Sequence, residues 1–209
     1  AGVGAAFAVL HANNETFAYV GKNAKLLDTS SLTVTAEDKK VTADDFDLYF
    51  DNVENKFEDA ISGEDFSFDD LNPLDVVSSK NYYTEAAAGA ASTGSSGVAV
   101  AGAFSVQVLE SETKAFIDND AVVVSDGKVE VAATRDTTAA ALGGSFGGSK
   151  KVGVGVTLNS ITSLDKTSAY IGSGAQVSIT IDDPTSSVSV TANTVQELNN
   201  IAISGAVAA

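Results

Sequence analysis

The stretch VGVTLNSITSLDKTSAYIGSGAQV, from Val154 to Val177, is the most informative part of the chain because related copies precede it twice. The copies are VGAAFAVLHANNETFAYVGKNAKL from Val3 and VAGAFSVQVLESETKAFIDNDAVV from Val100. In each copy an apolar residue stands twelve positions before an aromatic one, as Leu158 does before Tyr170. Gapless similarity over this length is the signature of a repeat architecture.

A second block of similarity follows each copy. It reads LTVTA at Leu32–Ala36, VEVAA at Val129–Ala133 and VSVTA at Val188–Ala192. The second and third copies start 54 residues apart (154 − 100), whereas the first and second start 97 apart (100 − 3). The first repeat therefore carries an insertion of 43 residues (97 − 54).

Apolar residues alternate with small or polar ones inside each repeat, as in Val152, Val154 and Val156. This period of two is typical of half-buried strands. Turn-forming residues, including Asp126-Gly127 and Asn199-Asn200, predict about five short strands per repeat. No helical period intervenes, so the sequence predicts an all-β protein, either a β-solenoid or a string of β-sandwiches.

Two features favour the solenoid, a parallel β-helix. Small residues at alternate positions, such as Gly2, Gly4, Gly153 and Gly155, would let neighbouring sheets approach closely. A repeat of 54 residues also divides into two or three coils of about 18 to 27 residues. The predicted division is solenoid coils at 1–36 (first repeat), an insertion at 37–83, and solenoid coils at 84–209 (second and third repeats).

The order VEVAA (Val129–Ala133), GVGV (Gly153–Val156) and AYIGSGAQV (Ala169–Val177) resembles repeats of giant bacterial surface adhesins of the filamentous-haemagglutinin and fusobacterial leukotoxin type. The resemblance covers most of the chain outside residues 37–83. It implies a parallel β-helix, secretion to the cell surface, and a role in adhesion or fibre formation. The second copy departs from the pattern, with Asp118 and Asp120 in place of both turn glycines.

The insertion differs in composition from the rest of the chain. Residues 37–85 hold 15 of the 28 acidic residues and 8 of the 15 aromatic ones. Apolar residues from Phe46 to Ile61 recur at spacings of three or four, which predicts an amphipathic helix between Thr42 and Gly63, followed by an acidic loop. The helix either pads the solenoid with its charges solvated or projects to bind a partner. The candidate partner-binding residues are Phe46, Tyr49, Phe50, Phe57, Asp65, Asp69 and Asp70.

The composition excludes several classes of function. A net charge of −16 is unsuited to nucleic acid or anionic membranes, and no apolar run is long enough to predict a membrane span. The chain has no Cys and one His, His11, which closes off thiolate nucleophiles, zinc sites and Ser-His-Asp machinery. We therefore expect no enzyme and assign no catalytic residue.

Calcium is the metal that fits the oxygen ligands of this chain best, and no other cofactor is expected. The candidate ligands are Asp118, Asp120 and Asp126, with the Asp182-Asp183 turn and the cluster of Asp65, Asp69 and Asp70 as further candidates. None matches an EF-hand loop.

Three functions stay open. The first is a secreted, extracellular structural segment of a bacterial surface filament, which self-associates or joins covalently adjacent repeats by stacking coils end to end. The second is an adhesin stalk whose acidic insertion binds a surface receptor or glycan. The third is a polysaccharide-processing β-helix.

Overall fold

The computed structural model describes residues 1–39, 82–92, 96–181 and 184–208, and every regular element in them is a β-strand. The strands are β1 (Gly2–Val20), β2 (Lys25–Thr29), β3 (Leu32–Asp38), β4 (Tyr82–Ser92), β5 (Val98–Ile117), β6 (Val122–Ser125), β7 (Val129–Ser149), β8 (Val152–Ile171), β9 (Gln176–Ile179) and β10 (Val188–Ala208). No helix in these ranges is long and apolar enough to span a bilayer.

The strands form three parallel sheets. Sheet A has the order β1-β5-β8, sheet B the order β2-β6-β9, and sheet C the order β10-β7-β3, with β4 also paired to β7. The chain passes from sheet A through B to C and then begins the next coil, so each sheet gains one strand per coil, except that the first coil contributes both β3 and β4 to sheet C. An all-β chain of parallel sheets wound in this way is consistent with the predicted β-solenoid.

Each repeat forms one coil, and the predicted division into two or three coils is wrong. Val98 pairs with Val152 directly across sheet A, an offset of 54 residues (152 − 98). Two long strands and one short strand make up the coil, rather than about five short ones. The predicted turn at Asn199-Asn200 lies inside β10, because its backbone continues the parallel ladder with β7. The glycine-rich segment Gly143–Gly148 likewise lies inside β7.

Sheets A and C face each other, and sheet B closes the wide end between them. The core at this end contains valine and isoleucine from several strands, among them Val34, Ile117, Val123 and Val131. A fully buried side chain of this size contributes about 1.5–3 kcal/mol to folding. The hydrophobic core therefore lies beside sheet B.

The opposite end is narrow because its inward positions are glycine and alanine. A Cβ atom on Gly4 would lie 2.1 Å from the carbonyl oxygen of Gly89, and one on Gly155 would lie 2.5 Å from that of Gly205. Ala86, Ala88, Ala101 and Ala103 form the buried cluster nearby. The predicted close approach of neighbouring sheets at small residues is confirmed here.

The insertion leaves the solenoid within sheet C. Asp38 at the end of β3 pairs with Arg135, and Tyr82 at the start of β4 pairs with Ala139, so the same neighbouring strand supports both sides of the gap. β3 and β4 each reach two residues inside the predicted insertion boundaries of 37 and 83. The predicted helix lies outside the described residues.

Candidate functional site

The predicted calcium ligands lie in two separate turns. Asp118 and Asp120 precede β6, whereas Asp126 follows it. Asp118 accepts a hydrogen bond of 2.7 Å from the backbone N–H of Asn119, and Asp126 accepts one from the hydroxyl of Thr180. The described residues contain no group of three His, Cys, Asp or Glu side chains that could hold a metal ion.

Asp120 also adopts the left-handed backbone conformation that is found at this position of the turn in every coil. Its φ of 59° is matched by 58° at Asn23 and 73° at Gly174, the equivalent positions in the other coils. Asp and Asn tolerate this left-handed conformation better than most residues. The departure from glycine at Asp120 is therefore compatible with the turn geometry of the repeat.

The predicted partner-binding residues, Phe46, Tyr49, Phe50, Phe57, Asp65, Asp69 and Asp70, all lie outside the described residues, as does the Asp182-Asp183 turn. His11 is exposed on sheet A, with Nε2 3.9 Å from a carboxylate oxygen of Glu110.

A buried ionic cluster joins the three coils. Arg135 of the middle coil is 1% exposed, and its guanidinium donates to Asp38 of the first coil. Its Nε lies 3.2 Å from a carboxylate oxygen of Asp165, which belongs to the third coil and is 3% exposed. Ser111 also accepts from Arg135, and the Asn14 amide donates to Asp38 at 2.8 Å. One arginine thus links two carboxylates from different coils inside the solenoid.

Register explains why these residues meet. Asn14, Ser111 and Asp165 form one ladder across sheet A, and Asp38, Arg135 and Thr194 form the facing ladder across sheet C. Burial lowers the pKa of Arg135, but the hydrogen bond to Asp38 and the charges of both aspartates outweigh this effect and raise it overall. The guanidinium therefore stays charged within the core, and the carboxylates of the first and third coils neutralise its charge.

Glu85 is a half-buried carboxyl on β4. Burial raises its pKa above the ordinary value, and the hydroxyl of Tyr83, which donates at 2.8 Å, partly offsets the effect. The folded state therefore binds this proton more tightly than the unfolded chain does. The contribution of Glu85 to the free energy of unfolding falls as pH rises from the ordinary carboxyl range through the raised pKa.

Glu85→Gln is accordingly expected to raise the free energy of unfolding at pH 7 by at most about 1 kcal/mol, because it removes a partly desolvated charge and keeps an acceptor for Tyr83. Urea unfolding at pH 7 and pH 4 measures the effect, which should shrink at the lower pH. Glu130→Gln is the control, since the side chain of Glu130 is 35% exposed and its carboxylate pairs with Lys128 at 2.6 Å. An equal gain at both pH values would contradict the explanation.

Aromatic side chains form a ladder on the outside of sheet A. The ring of Phe116 stacks between those of Tyr19 and Tyr170, with centroid distances of 5.2 and 5.0 Å and interplanar angles of 9° and 6°. A second contact joins Phe7 to Phe104 at 5.8 Å. Because one residue from each coil contributes, these contacts stabilise coil-on-coil stacking.

The outside of sheet A also carries a continuous apolar surface. We define the outer apolar face as the outward side chains of Val3–Val9, Val98–Val106 and Val152–Ser160. Phe7 is 74% exposed and Leu158 is 60% exposed, while the inward positions of the same strands are largely small. The sequence predicted that apolar and small residues alternate along these strands, but it did not predict which of the two sets faces inward. The glycines at alternate positions could have indicated this direction. Because the glycines face inward where the sheets approach closely, the large apolar side chains between them face outward.

No protein-family model, curated protein or solved structure matches the chain. The geometry of the solenoid and its surfaces is therefore the basis for inferring function.

The two terminal coils expose inward positions that the middle coil buries. Val190 on β10 is 45% exposed, whereas Val131, its partner on β7, is fully buried. In the described residues, no strand pairs with the outer edge of β1 or of β8. Both edges therefore present parallel-ladder donors and acceptors to a further coil.

Proposed function

We propose that the chain is a structural segment of an extracellular bacterial surface fibre, in which coils stack end to end. The further coils come from covalently adjacent repeats or from another copy of the chain. The observation that carries the proposal is that the three coils pair strand to strand in all three sheets, with an unbroken register along the long strands of sheets A and C. A coil with the same register can be added at either edge without altering the others.

The exposed residues of the terminal coils support this proposal. A fourth coil stacked on β10 would bury Val190, in the same way that β10 and the neighbouring strands bury Val131 of the middle coil. The same coil could extend the aromatic ladder beyond Tyr170. Stacking would thus bury apolar surface and satisfy edge hydrogen bonds in a single step.

The adhesin stalk is the second candidate, and the position of the insertion favours it. β3 and β4 pair with the same strand, β7, before and after the gap. A segment placed there extends the chain without interrupting the solenoid, and insertions in repeat proteins often provide the binding face. The polysaccharide-processing β-helix stays a hypothesis, which turnover of a glycan panel would test.

Val190→Lys tests end-to-end stacking. Its side chain stays partly exposed in the isolated chain, so folding should be retained, but a stacked coil would bury the ammonium group at a cost of several kcal/mol. Val195→Lys is the matched control, since Val195 is 50% exposed and faces outward on the same strand, β10. Its lysine would stay in water after stacking.

Cryo-electron microscopy of the purified chain and of the native fibre provides the measurement. We expect filaments with an axial repeat of about 4.8 Å, formed by the wild type and by Val195→Lys and lost in Val190→Lys. Wild-type chains that remain isolated rods would overturn end-to-end stacking and favour the adhesin stalk. Unchanged filaments of Val190→Lys would contradict stacking through this edge.

A further inference from the structure

The outer apolar face lacks charge in a strongly acidic protein. The chain has a net charge of −16, yet Val3–Val9, Val98–Val106 and Val152–Ser160 contain no charged residue. Toward sheet B the outside of the same sheet becomes charged, with Glu112 and Lys114 paired at 2.6 Å. Two copies can approach each other at the neutral region without strong like-charge repulsion.

Exposed apolar residues are ordinary when they are scattered, but these ones are contiguous. The parallel register aligns Val3 with Val100 and Val154, and Phe7 with Phe104 and Leu158, so the rows run unbroken across the coils. A parallel sheet is usually covered on both faces. The described residues cover the inner face of sheet A with sheet C, whereas Phe7 and Leu158 on its outer face are mostly exposed.

We propose that the outer apolar face pairs two stacked solenoids side by side, each being a filament of this chain. The rows repeat at the spacing of parallel strands, about 4.8 Å along the solenoid axis. The same face of a second copy has the same period, so its side chains can interdigitate along the whole length at a sheet separation of about 10 Å. A partner without this periodicity would match only a few rows.

The area of the outer apolar face determines how many coils a solenoid must have for stable side-by-side pairing. Three strands at about 4.8 Å and nine residues at about 3.3 Å give a face of about 400 Å². A stable interface covers about 800 Å² on each partner. A solenoid of three coils therefore provides about half of the required area, and about six coils provide all of it. Side-by-side pairing thus rests on the proposed end-to-end stacking and should follow it.

Leu158→Glu tests the pairing, with Leu27→Glu as its control. Both leucines lie in terminal coils, and they have similar exposures of 60% and 57%, but Leu27 is on β2 of sheet B. Phe104→Glu places the same charge in the middle coil, away from the terminal edges at which coils stack. A loss of side-by-side pairing in this variant is therefore not explained by a change in end-to-end stacking. In each variant of the outer apolar face, a charge would be buried against an apolar surface if two solenoids paired.

Filament width and length in cryo-electron micrographs are the readouts. We expect the wild type and Leu27→Glu to form filaments two solenoids wide, and Leu158→Glu and Phe104→Glu to form filaments of similar length but one solenoid wide. Wild-type filaments of single width would overturn the pairing while leaving end-to-end stacking intact. Paired filaments in both outer-face variants would also overturn it, whereas the absence of wild-type filaments would remove stacking and pairing together.

Discussion

Replacing Arg135 with leucine should lower the free energy of unfolding by about 3–5 kcal/mol, because the change leaves the carboxylates of Asp38 and Asp165 without their cationic partner inside the solenoid. Arg135 is 1% exposed and Asp165 is 3% exposed, so water can solvate neither group in the folded state. The midpoint and slope of urea unfolding measure the loss. An unchanged slope would show that stability fell without a change in the surface exposed on unfolding.

Two variants separate the ionic cluster from a general effect of lost charge. Lys128→Leu removes one partner of the exposed pair with Glu130 and should cost at most about 1 kcal/mol. The triple change of Asp38, Arg135 and Asp165 to leucine should recover much of the stability lost in Arg135→Leu, because it leaves no buried charge unpaired. A triple variant less stable than Arg135→Leu would contradict the argument.

Gly155→Ala is expected to destabilise the protein by about 1–3 kcal/mol, because a single methyl group would separate sheets A and C at the narrow end. The added Cβ would lie 2.5 Å from the carbonyl oxygen of Gly205 and 2.8 Å from that of Ser145. Both contacts are to backbone, so no side-chain rotation relieves them. Thermal and urea unfolding measure the loss of stability.

Gly144→Ala is the control for this prediction. It lies on sheet C, and a Cβ atom there would have no neighbour within 4 Å. Alanine should therefore be neutral or stabilise the strand by about 0.5–1 kcal/mol through the lower entropy of the unfolded chain. Equal losses for Gly144→Ala and Gly155→Ala would indicate a general need for glycine rather than close packing at Gly155.

The ionic cluster suggests a role in fixing the register of the coils. Alternating valines and alanines permit a shift of two residues at little cost, since the same face stays inward. Such a shift would move Arg135 away from Asp38 and Asp165, leaving buried charges without partners. We therefore expect Arg135 to contribute to the choice of one register as well as to stability.

The sequence by itself determined the strand character and the repeat. The similarity of the copies from Val3, Val100 and Val154 is a local pattern, and parallel pairing at the repeat offset preserves it in space. The glycines at alternate positions also indicated where backbones meet, because only residues without a Cβ atom permit that approach.

Only the tertiary structure decided the number of coils per repeat and the direction in which each strand faces. Asn199-Asn200 has turn-forming residues, but pairing with β7 keeps its backbone extended. An alternating pattern likewise has two faces, and the packing of Gly155 against Gly205 turns Val154 and Leu158 outward. The contacts of Arg135 with Asp38 and Asp165 could not be predicted from the sequence, because they depend on strand register and on the packing of two sheets across the core.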